Sequence, residues 1–317
     1  MNSTASAKSM PRLVPTYVAA AVTVMLWASA FPGIRAGLVG YRPTQLAVLR
    51  YLVASILLLL VAPLAHVRVP LIRDIPTLAV LGGVGITAYN LALNYGETRV
   101  PAGAASFLGN TVPIFTAVLA SFFLHERLRS LGWMGLLVSF TGSAVIAFGS
   151  GGGYGFNPWT ALVLAAAIFQ AIFFVLQKPL LRSYRPMELT AYAIWSGTIF
   201  NLAFLPGLKD AVIRSPQSAT LAAVYLGVFP ASIAYLAWAF VLSRRSAQEA
   251  GSFLYLVPVV SVIIAWVWLG EKPSALTLIG GALTLGGVVL VTASGRGRTP
   301  SFTGNDLIPC EERRRGK

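Results

Sequence analysis

The sequence is poor in charged residues, and above all in acidic ones. Only 11% of its 317 residues are charged and only ten are Asp or Glu, whereas 56% are hydrophobic. A typical soluble domain has about 25% charged residues. Together with a mean hydropathy of +0.74, this composition excludes a soluble globular protein and predicts an integral membrane protein.

Cysteine and histidine are also scarce. Cys310 is the only cysteine, so the chain cannot form an internal disulfide, and a thiolate metal site is disfavoured. His66 and His125 lie in basic loops, with no second histidine or carboxylate spaced to share a metal. The sequence contains no nucleophile elbow, phosphate-binding loop or intramembrane aspartate pair. We therefore predict no enzymatic activity, no cofactor and no metal.

Apolar segments of membrane-spanning length recur along the whole chain. A spanning helix needs about 20 apolar residues, because it must cross the hydrocarbon layer. The segments that meet this requirement are 16–37, 45–65, 76–96, 102–123, 131–149, 158–180, 188–206, 218–240, 248–268 and 274–294. They predict an all-α protein with ten transmembrane helices.

The sequence repeats itself at a fixed separation. The identical residues that share this separation are Arg99 and Arg244, Pro113 and Pro258, Glu126 and Glu271, Gly135 and Gly280, and Gly142 and Gly287. Near the start of each copy, Tyr41-Arg42-Pro43 returns as Tyr184-Arg185-Pro186, at a separation that is shorter by two positions. The chain is therefore a duplication. The two separations, called here the register of the Tyr-Arg-Pro motif and the register of the prolines, differ because one copy has a small insertion.

The duplication defines the predicted organisation of the chain. Five helices per copy is an odd number, so the second copy enters the membrane with the opposite orientation. We predict inverted repeats at 16–149 and 158–294, joined by a flexible Gly-rich linker at 150–157. Residues 1–15 and 295–317 are predicted to be tails. Transporters use such repeats to place a substrate site between the two halves.

The net charge of +14 is distributed unevenly. In a soluble protein it would suggest nucleic acid, but in a membrane protein Lys and Arg concentrate in cytosolic loops. If the N-terminus is cytosolic, 17 of the 24 Lys and Arg residues fall on the inner side and six on the outer side. We therefore predict cytoplasmic termini, and the lipid bilayer rather than nucleic acid as a partner.

Two prolines interrupt equivalent helices. Pro113 and Pro258 fall near the middle of the predicted fourth and ninth helices, where proline removes a backbone hydrogen bond and bends the helix. Helical spacing places Asn110 on the face of Pro113, and Tyr255 on the face of Pro258. Either the prolines are packing kinks and Asn110 caps a freed backbone group, or both are hinges beside a substrate cavity.

Asn90 and Asn94 form a polar stripe on the predicted third helix, beside Tyr89. Two amides facing lipid would be costly, so they either bond a neighbouring helix or contact a substrate. In the second copy, the matching segment carries Tyr235 and Trp238 instead. A cavity shared by the two halves would therefore be lined unequally, as an asymmetric substrate requires.

Trp27 lies deep in the first helix, too deep for an interfacial aromatic belt. The register of the Tyr-Arg-Pro motif relates it to Gln170. Trp27 is either an ordinary core residue or a wall of the cavity that faces Gln170, in an aromatic pocket with few polar contacts. The full set of predicted substrate contacts is Trp27, Tyr89, Asn90, Asn94, Asn110, Gln170, Tyr235, Trp238 and Tyr255.

The ten carboxylates are all expected at helix ends, in loops or in tails. A proton or sodium relay normally needs one near the middle of the membrane, so the sequence favours facilitated movement over ion coupling. Arg50 is the only charge expected inside a helix. It either snorkels or pairs with Glu97, or it attracts the carboxylate of a substrate.

Small residues recur on one face of the fifth and tenth predicted helices. Gly135 and Gly142, and in the second copy Gly280 and Gly287, are seven residues apart. Such glycines allow close helix packing. The packing partner is either within the chain or in a second copy, so the oligomeric state stays open.

The arrangement of these motifs resembles a known family. In each copy a mid-helix proline is followed thirteen residues later by Glu and then by a glycine-spaced helix, as in EamA-type members of the drug/metabolite transporter superfamily. The run Leu26-Trp27-Ala28-Ser29-Ala30-Phe31-Pro32 is also similar to their first helix. Within the superfamily the chain is most similar to the YddG-type amino-acid exporters, which implies that Glu126 and Glu271 support the fold and do not bind substrate.

The resemblance implies a function and a location. It implies a transporter in the bacterial inner membrane that exports amino acids or similar small metabolites by alternating access. A multidrug exporter would have nearly the same sequence features. A carrier of nucleotide sugars or cofactors would need several cationic residues for phosphate groups, and only Arg50 is placed to serve.

Overall fold

A computed structural model describes residues 14–123, 130–149, 157–245, 250–251 and 253–295. Several residues named from the sequence lie outside these ranges, among them Glu126, His125 and Cys310. The predicted tails and the linker 150–157 also lie almost wholly outside them, so these predictions stay untested. The side chain of Tyr255 is likewise not described.

The described part of the chain is helical and contains no β-strand. Its helices are α1 (Val14–Leu38), α2 (Pro43–Val61), α3 (Ile72–Glu97), α4 (Ala102–Gly109), α5 (Val112–Phe123), α6 (Ser130–Gly149), α7 (Trp159–Leu180), α8 (Pro186–Asn201), α9 (Leu208–Arg214), α10 (Gln217–Arg244), α11 (Val257–Leu269) and α12 (Ala275–Gly295).

Five of these helices, α1, α2, α3, α7 and α10, are long and apolar enough to cross a membrane. A sixth crossing is possible through α8 and α9, which meet at an angle of 85°. The helices α6, α11 and α12 carry shorter apolar stretches. The all-helical membrane protein expected from composition is confirmed, whereas the count of ten spans stays a prediction.

The predicted helix 102–123 is broken, which corrects the expectation of a single bent helix. α4 ends at Gly109 and α5 begins at Val112, so Pro113 lies in the first turn of α5. In the second copy, a 3-10 turn at Leu254–Leu256 precedes α11, and Pro258 lies in the first turn of that helix. The backbone N–H groups in the first turn of a helix have no partner within the helix, so a proline there removes no hydrogen bond. Starting a new helix at the proline is therefore less costly than bending a continuous helix around it.

The two copies begin their second helices in the same way. At the start of α2 the backbone N–H of Arg42 donates to the side-chain oxygen of Gln45, at 3.1 Å. At the start of α8 the backbone N–H of Arg185 donates to the carboxylate of Glu188, at 2.9 Å. Both contacts satisfy a donor that a helix start leaves free. The repeated Tyr-Arg-Pro sequence therefore encodes a repeated helix start.

The halves pack through helix pairs that mirror one another. α1 packs on α10 and α11, and its counterpart α7 packs on α3 and on α4 with α5. Likewise α2 packs on α10, and α8 packs on α3. The remaining large contacts join counterparts directly, α2 with α8 and α6 with α12. Each of these contacts made by a helix of one half therefore has an equivalent made by the matching helix of the other half.

The glycine stripes of α6 and α12 face each other within the chain. A Cβ atom added to Gly142 would lie 2.5 Å from the carbonyl oxygen of Gly280, and one added to Gly280 would lie 2.7 Å from that of Gly142. Backbones this close leave no room for a side chain. The partner that the sequence left open is therefore the other half of the same chain.

Candidate functional site

A cavity of about 740 Å³, counted up to its open mouth, lies between the two halves. Its wall comes from α1, α2, α3, the α4–α5 break, α7, α10 and the segment that leads into α11. Predicted contacts that line it are Trp27, Tyr89, Asn110, Gln170 and Tyr235, together with the predicted hinge Pro113.

One wall of the cavity is an aromatic cluster centred on Trp27. Its indole stacks on Phe174, with ring centroids 6.1 Å apart, and meets Tyr235 edge-on at 5.4 Å. The indole N–H donates to the carbonyl oxygen of Pro230 at 3.3 Å, which ties α1 to α10. These three contacts hold Trp27 in place, so it presents a rigid apolar face to the cavity.

Trp238 belongs to the same cluster but lies behind it. Its ring is 4.7 Å from that of Phe174 and 5.5 Å from that of Trp27, and it does not line the cavity. The side chain is 2% exposed, and its indole N–H has no acceptor in the described part of the chain. The structure therefore places Trp238 as a support for the aromatic wall.

Gln170 faces the aromatic wall from α7, which is the arrangement described by one of the two interpretations of Trp27. Its side-chain oxygen lies 3.5 Å from the hydroxyl of Tyr235, which donates to it. Trp27 and Gln170, which the repeat relates to each other, thus line the same cavity. Tyr89 lines it as well.

The main cationic group of the site is Arg50 on α2, which is 3% exposed and lines the cavity. Its Nη1 donates to the side-chain oxygen of Asn90 at 2.8 Å. The amide nitrogen of Asn90 donates in turn to the Tyr51 hydroxyl at 2.6 Å and to the Ile86 carbonyl at 2.8 Å. Asn90 therefore orients the guanidinium group from behind and does not line the cavity.

Asn94 lies one turn further along α3 and also faces a neighbouring helix. Its amide nitrogen donates to the carbonyl oxygen of Pro43 at the start of α2, at 3.0 Å. The residue is fully buried and lies outside the cavity lining. The sequence left two interpretations of this stripe, bonds to a neighbouring helix or contacts with a substrate. In the structure both asparagines bond a neighbouring helix.

Asn110 occupies the break between α4 and α5, where it lines the cavity. Its backbone N–H is satisfied by the carbonyl of Ser106 at 3.0 Å. The side-chain nitrogen, however, is buried and has no acceptor in the described residues. Asn110 therefore does not cap a freed backbone group with its amide nitrogen, which was one of the two interpretations of this position.

The profile of the EamA-like transporter family matches residues 14–148 and matches again at residues 157–293. The chain belongs to this family. Because one family profile fits both halves, the comparison also identifies the duplication that the repeated residues indicated.

Several relatives cover nearly the whole transporter. YdfC, an uncharacterized transporter of Bacillus subtilis (strain 168), is 43% identical over 277 residues, which are 87% of this chain and 90% of that protein. A probable terminal-alkyne amino-acid exporter of Streptantibioticus cattleyicolor is 42% identical over 278 residues, covering 87% and 93%. The inner membrane transporter YedA of Escherichia coli (strain K12) is 29% identical, covering 89% and 92%.

The fold also has a counterpart among solved structures. One crystal structure superposes with a TM-score of 0.63 at 21% sequence identity, covering 89% of this chain and 97% of the other. Similarity at this level of identity describes the fold alone. It is consistent with the helical architecture of an EamA transporter.

A second group of charged residues lies where α1, α3 and α4 meet the segment before α12. Arg35 donates to the carboxylate of Glu271 at 3.1 Å and to the backbone carbonyl of Glu97 at 2.7 Å. The other carboxylate oxygen of Glu271 accepts from the backbone N–H of Ala102 at 2.9 Å. This ion pair joins the two halves of the transporter, so Glu271 has the structural role that the family resemblance implied.

Glu97 is a buried acidic residue outside the cavity lining. The sequence places it at the end of a helix, and α3 does end there, yet the residue is fully buried. Both of its carboxylate oxygens lack a hydrogen-bond partner in the described residues, and it forms no ion pair there with Arg50. The expectation that Glu97 lies at a helix end is confirmed, but the carboxyl group is buried there, where Gly96 packs closely against Val163 on α7.

Sequence reasoning missed the small residues that shape the floor of the cavity. Ala166 and Ala167 on α7 line it beside Gln170, and Val163 lies one turn further along the helix. Their helical spacing from Gln170, at three, four and seven residues, was a usable signal. Small side chains at these positions leave space for a ligand in front of Trp27.

Proposed function

We propose that the protein exports amino acids or similar small metabolites across the bacterial inner membrane, by alternating access through the cavity between its halves. The main supporting observation is the cavity itself, which combines a rigid aromatic wall with a few polar groups. The relative named as an amino-acid exporter supports the substrate class. Trp27, Tyr89, Asn110, Gln170 and Tyr235 would contact substrate, and Asn90 and Trp238 would support them.

The mirrored helix contacts support the proposal of two inverted five-helix repeats. A cavity at the interface of such repeats can open to either side when one half rocks against the other. The breaks before Pro113 and Pro258 lie at equivalent places in the two halves and beside this cavity. We therefore propose both prolines as hinges, which would bend at a point where few backbone hydrogen bonds have to break.

Matching cationic contacts near the ends of α1 and α7 also support alternating access. Arg35 binds the carbonyl oxygen of Glu97 at 2.7 Å, and Lys178 binds that of Leu242 at 2.6 Å. Lys178 is the counterpart of Arg35 in the register of the Tyr-Arg-Pro motif, and Leu242 is the counterpart of Glu97 in the register of the prolines. The same contact thus occurs once in each half, and we propose that the two contacts help to close opposite ends of the cavity.

Substrate exchange in proteoliposomes tests the proposed function. Vesicles that contain the purified protein would be loaded with neutral amino acids, with cationic drugs or with nucleotide sugars, and uptake of the matching labelled compound would be measured. We expect exchange for amino acids alone. Exchange of cationic drugs at a similar rate would support a multidrug exporter, and exchange of nucleotide sugars alone would contradict the proposal.

Cysteine labelling tests the proposed orientation, in a background in which Cys310 is replaced. Cysteines at Gly152 and at Arg244 should react from opposite sides of the membrane, with Arg244 on the cytoplasmic side. Reaction of both positions from the same side would exclude the inverted arrangement.

A further inference from the structure

The cavity presents a cation and an amide donor, and none of the residues that line it is acidic. We propose that Arg50 and Asn110 together bind a carboxylate of the substrate, and that the α-amino group of an amino acid is not required for recognition. This inference rests on the proposed function, since it names the chemical class that the cavity selects. On this basis the transported class is small carboxylates with an apolar body, of which amino acids are one case.

Arg50 places a buried positive charge at the cavity wall. A buried guanidinium group is costly unless a counter-ion or several acceptors compensate it. Here only Nη1 has a hydrogen bond in the described residues, to Asn90, and Nε is buried without an acceptor. Asn90 is neutral and Arg50 forms no ion pair in the described residues, so no carboxylate of the protein neutralises its charge by direct contact.

The orientation of Arg50 is fixed by groups that do not face the cavity. Asn90 directs both of its described amide donor contacts to Tyr51 and Ile86, which leaves its oxygen to accept from Arg50. Tyr51 also places its ring 5.4 Å from the Arg50 guanidinium carbon. A guanidinium group held in one orientation loses less entropy when it binds a planar carboxylate.

Asn110 supplies a second donor on the cavity wall. It comes from the α4–α5 break, a part of the fold that is separate from α2, and is 6% exposed. Its side-chain nitrogen has no acceptor in the described residues. A carboxylate has two oxygens and several lone pairs, so it can accept from an arginine and an amide at once.

The acceptors around the cavity do not match a substrate ammonium group. None of the residues that line the cavity is Asp or Glu. Glu97 is a buried carboxyl group in the same half as Arg50, but it does not line the cavity and makes no ion pair with Arg50 in the described residues. Neutral oxygens, such as those of Gln170 and Ser106, are the remaining polar acceptors. The site thus has a charge complement for a carboxylate and none for an amine.

A set of four probes separates these groups. They are phenylalanine, 3-phenylpropionate, which lacks the amine, phenylalaninamide, which lacks the carboxylate, and 2-phenylethylamine, which has only the amine. Each would be tested for binding by thermal stabilisation of the purified protein in lipid nanodiscs, and for competition with labelled phenylalanine in proteoliposome exchange. We expect 3-phenylpropionate to compete within about threefold of phenylalanine, and both amines to be weaker by about tenfold or more, since a hydrogen bond to a charged group is lost.

Variants of Arg50 and Asn110 assign the effect to these side chains. Arg50→Gln should weaken both carboxylates by about ten- to a hundredfold and leave the weak binding of phenylalaninamide unchanged. Arg50→Lys keeps the charge but loses the planar fork, so an intermediate loss is expected. Asn110→Asp places a negative charge beside the carboxylate and should weaken carboxylates more than the amide. The melting temperature of each variant without ligand identifies any that fails to fold, and Arg50→Lys then replaces Arg50→Gln in the comparison.

The outcomes distinguish the inference from the proposed function. Exchange of phenylalanine together with failure of 3-phenylpropionate to compete, or equal losses for carboxylate and amide in Arg50→Lys, would overturn the inference and leave export intact. Carboxylate-dependent stabilisation without exchange would support the inference and contradict the proposed function. The absence of both binding and exchange for all four probes would contradict both.

Discussion

The two halves of this transporter share a backbone plan but differ in chemistry at the cavity. The first half contributes Arg50 and Asn110, whereas the second contributes Gln170 and Tyr235. Ala193, the counterpart of Arg50 in the register of the Tyr-Arg-Pro motif, is small, apolar and buried. The packing of the two halves is thus nearly symmetric, while the cationic residue that lines the cavity, Arg50, has no charged counterpart in the second half.

The repeated packing and the divergent cavity residues have separate explanations. The proposed alternating access needs two similar bundles, which would account for the repeated helix packing and helix starts. Binding an asymmetric substrate, as proposed for this cavity, needs unlike groups on facing walls, which would account for the divergent cavity residues. On this proposal, the two copies kept their packing contacts and differ at the few side chains that line the cavity.

The largest expected effect comes from breaking the symmetric scaffold. Gly142→Leu would drive a side chain into the backbone of α12, where a Cβ atom already lies 2.5 Å from the Gly280 oxygen. We expect a loss of about 3 kcal/mol of stability and little folded protein. Gly286→Leu is the matched control, because a Cβ atom there meets nothing within 4 Å. Melting temperature and the yield of monodisperse protein measure the effect, and equal loss in both variants would contradict this packing.

The next prediction compares two asparagines that the sequence could not distinguish. Asn110→Ala removes an unpaired donor from the cavity and should weaken substrate binding by about 1 to 3 kcal/mol, or about five- to over a hundredfold, with folding retained. Asn94→Ala removes a bond between α2 and α3, so it should lower the melting temperature and leave apparent affinity unchanged. Half-saturation constants and melting curves of the two variants provide the test. Identical behaviour would mean that the assigned roles are wrong.

A smaller effect is expected from the ion pair that joins the halves. Glu271→Gln removes the charge that holds Arg35, and because both side chains are partly exposed we expect a loss of about 1 kcal/mol. Arg73→Gln removes the ion pair with Asp74. The Arg73 side chain is 64% exposed, so stability should change by less. Chemical denaturation in matched lipid measures both. A larger loss for Arg73→Gln would show that the pair between the halves contributes little.

The smallest effect on affinity is expected from the aromatic wall. Trp27→Ala enlarges the cavity, so we expect substrate preference to shift toward bulkier side chains while transport continues. Competition by amino acids of increasing side-chain size, measured in wild type and variant, provides the test. An unchanged order of preference would place Trp27 away from the substrate.

The contrast between Asn110 and Asn94 also shows how far the site was predictable. Trp27, Gln170 and Asn110 were identified because a polar or aromatic residue deep in an apolar segment is visible in the sequence. The sequence did not reveal that Asn90 orients Arg50 while Asn94 binds the start of α2, since both lie on one stripe of α3 and only the neighbouring helix separates their roles. The break at Asn110 was also missed, because proline predicts a bend and not where a new helix begins.

Membrane insertion, helical structure and duplication were determined by the sequence alone. Each of these depends on local properties, namely the length of apolar runs and the spacing of repeated residues, which do not require knowledge of the neighbours. Only the tertiary structure decided that the glycines of α6 and α12 face each other, that Glu97 is buried, and that Arg50 stands at the cavity without a paired anion in the described residues. Those properties depend on which helices come together, because burial and pairing belong to contacts between segments that are distant in the chain.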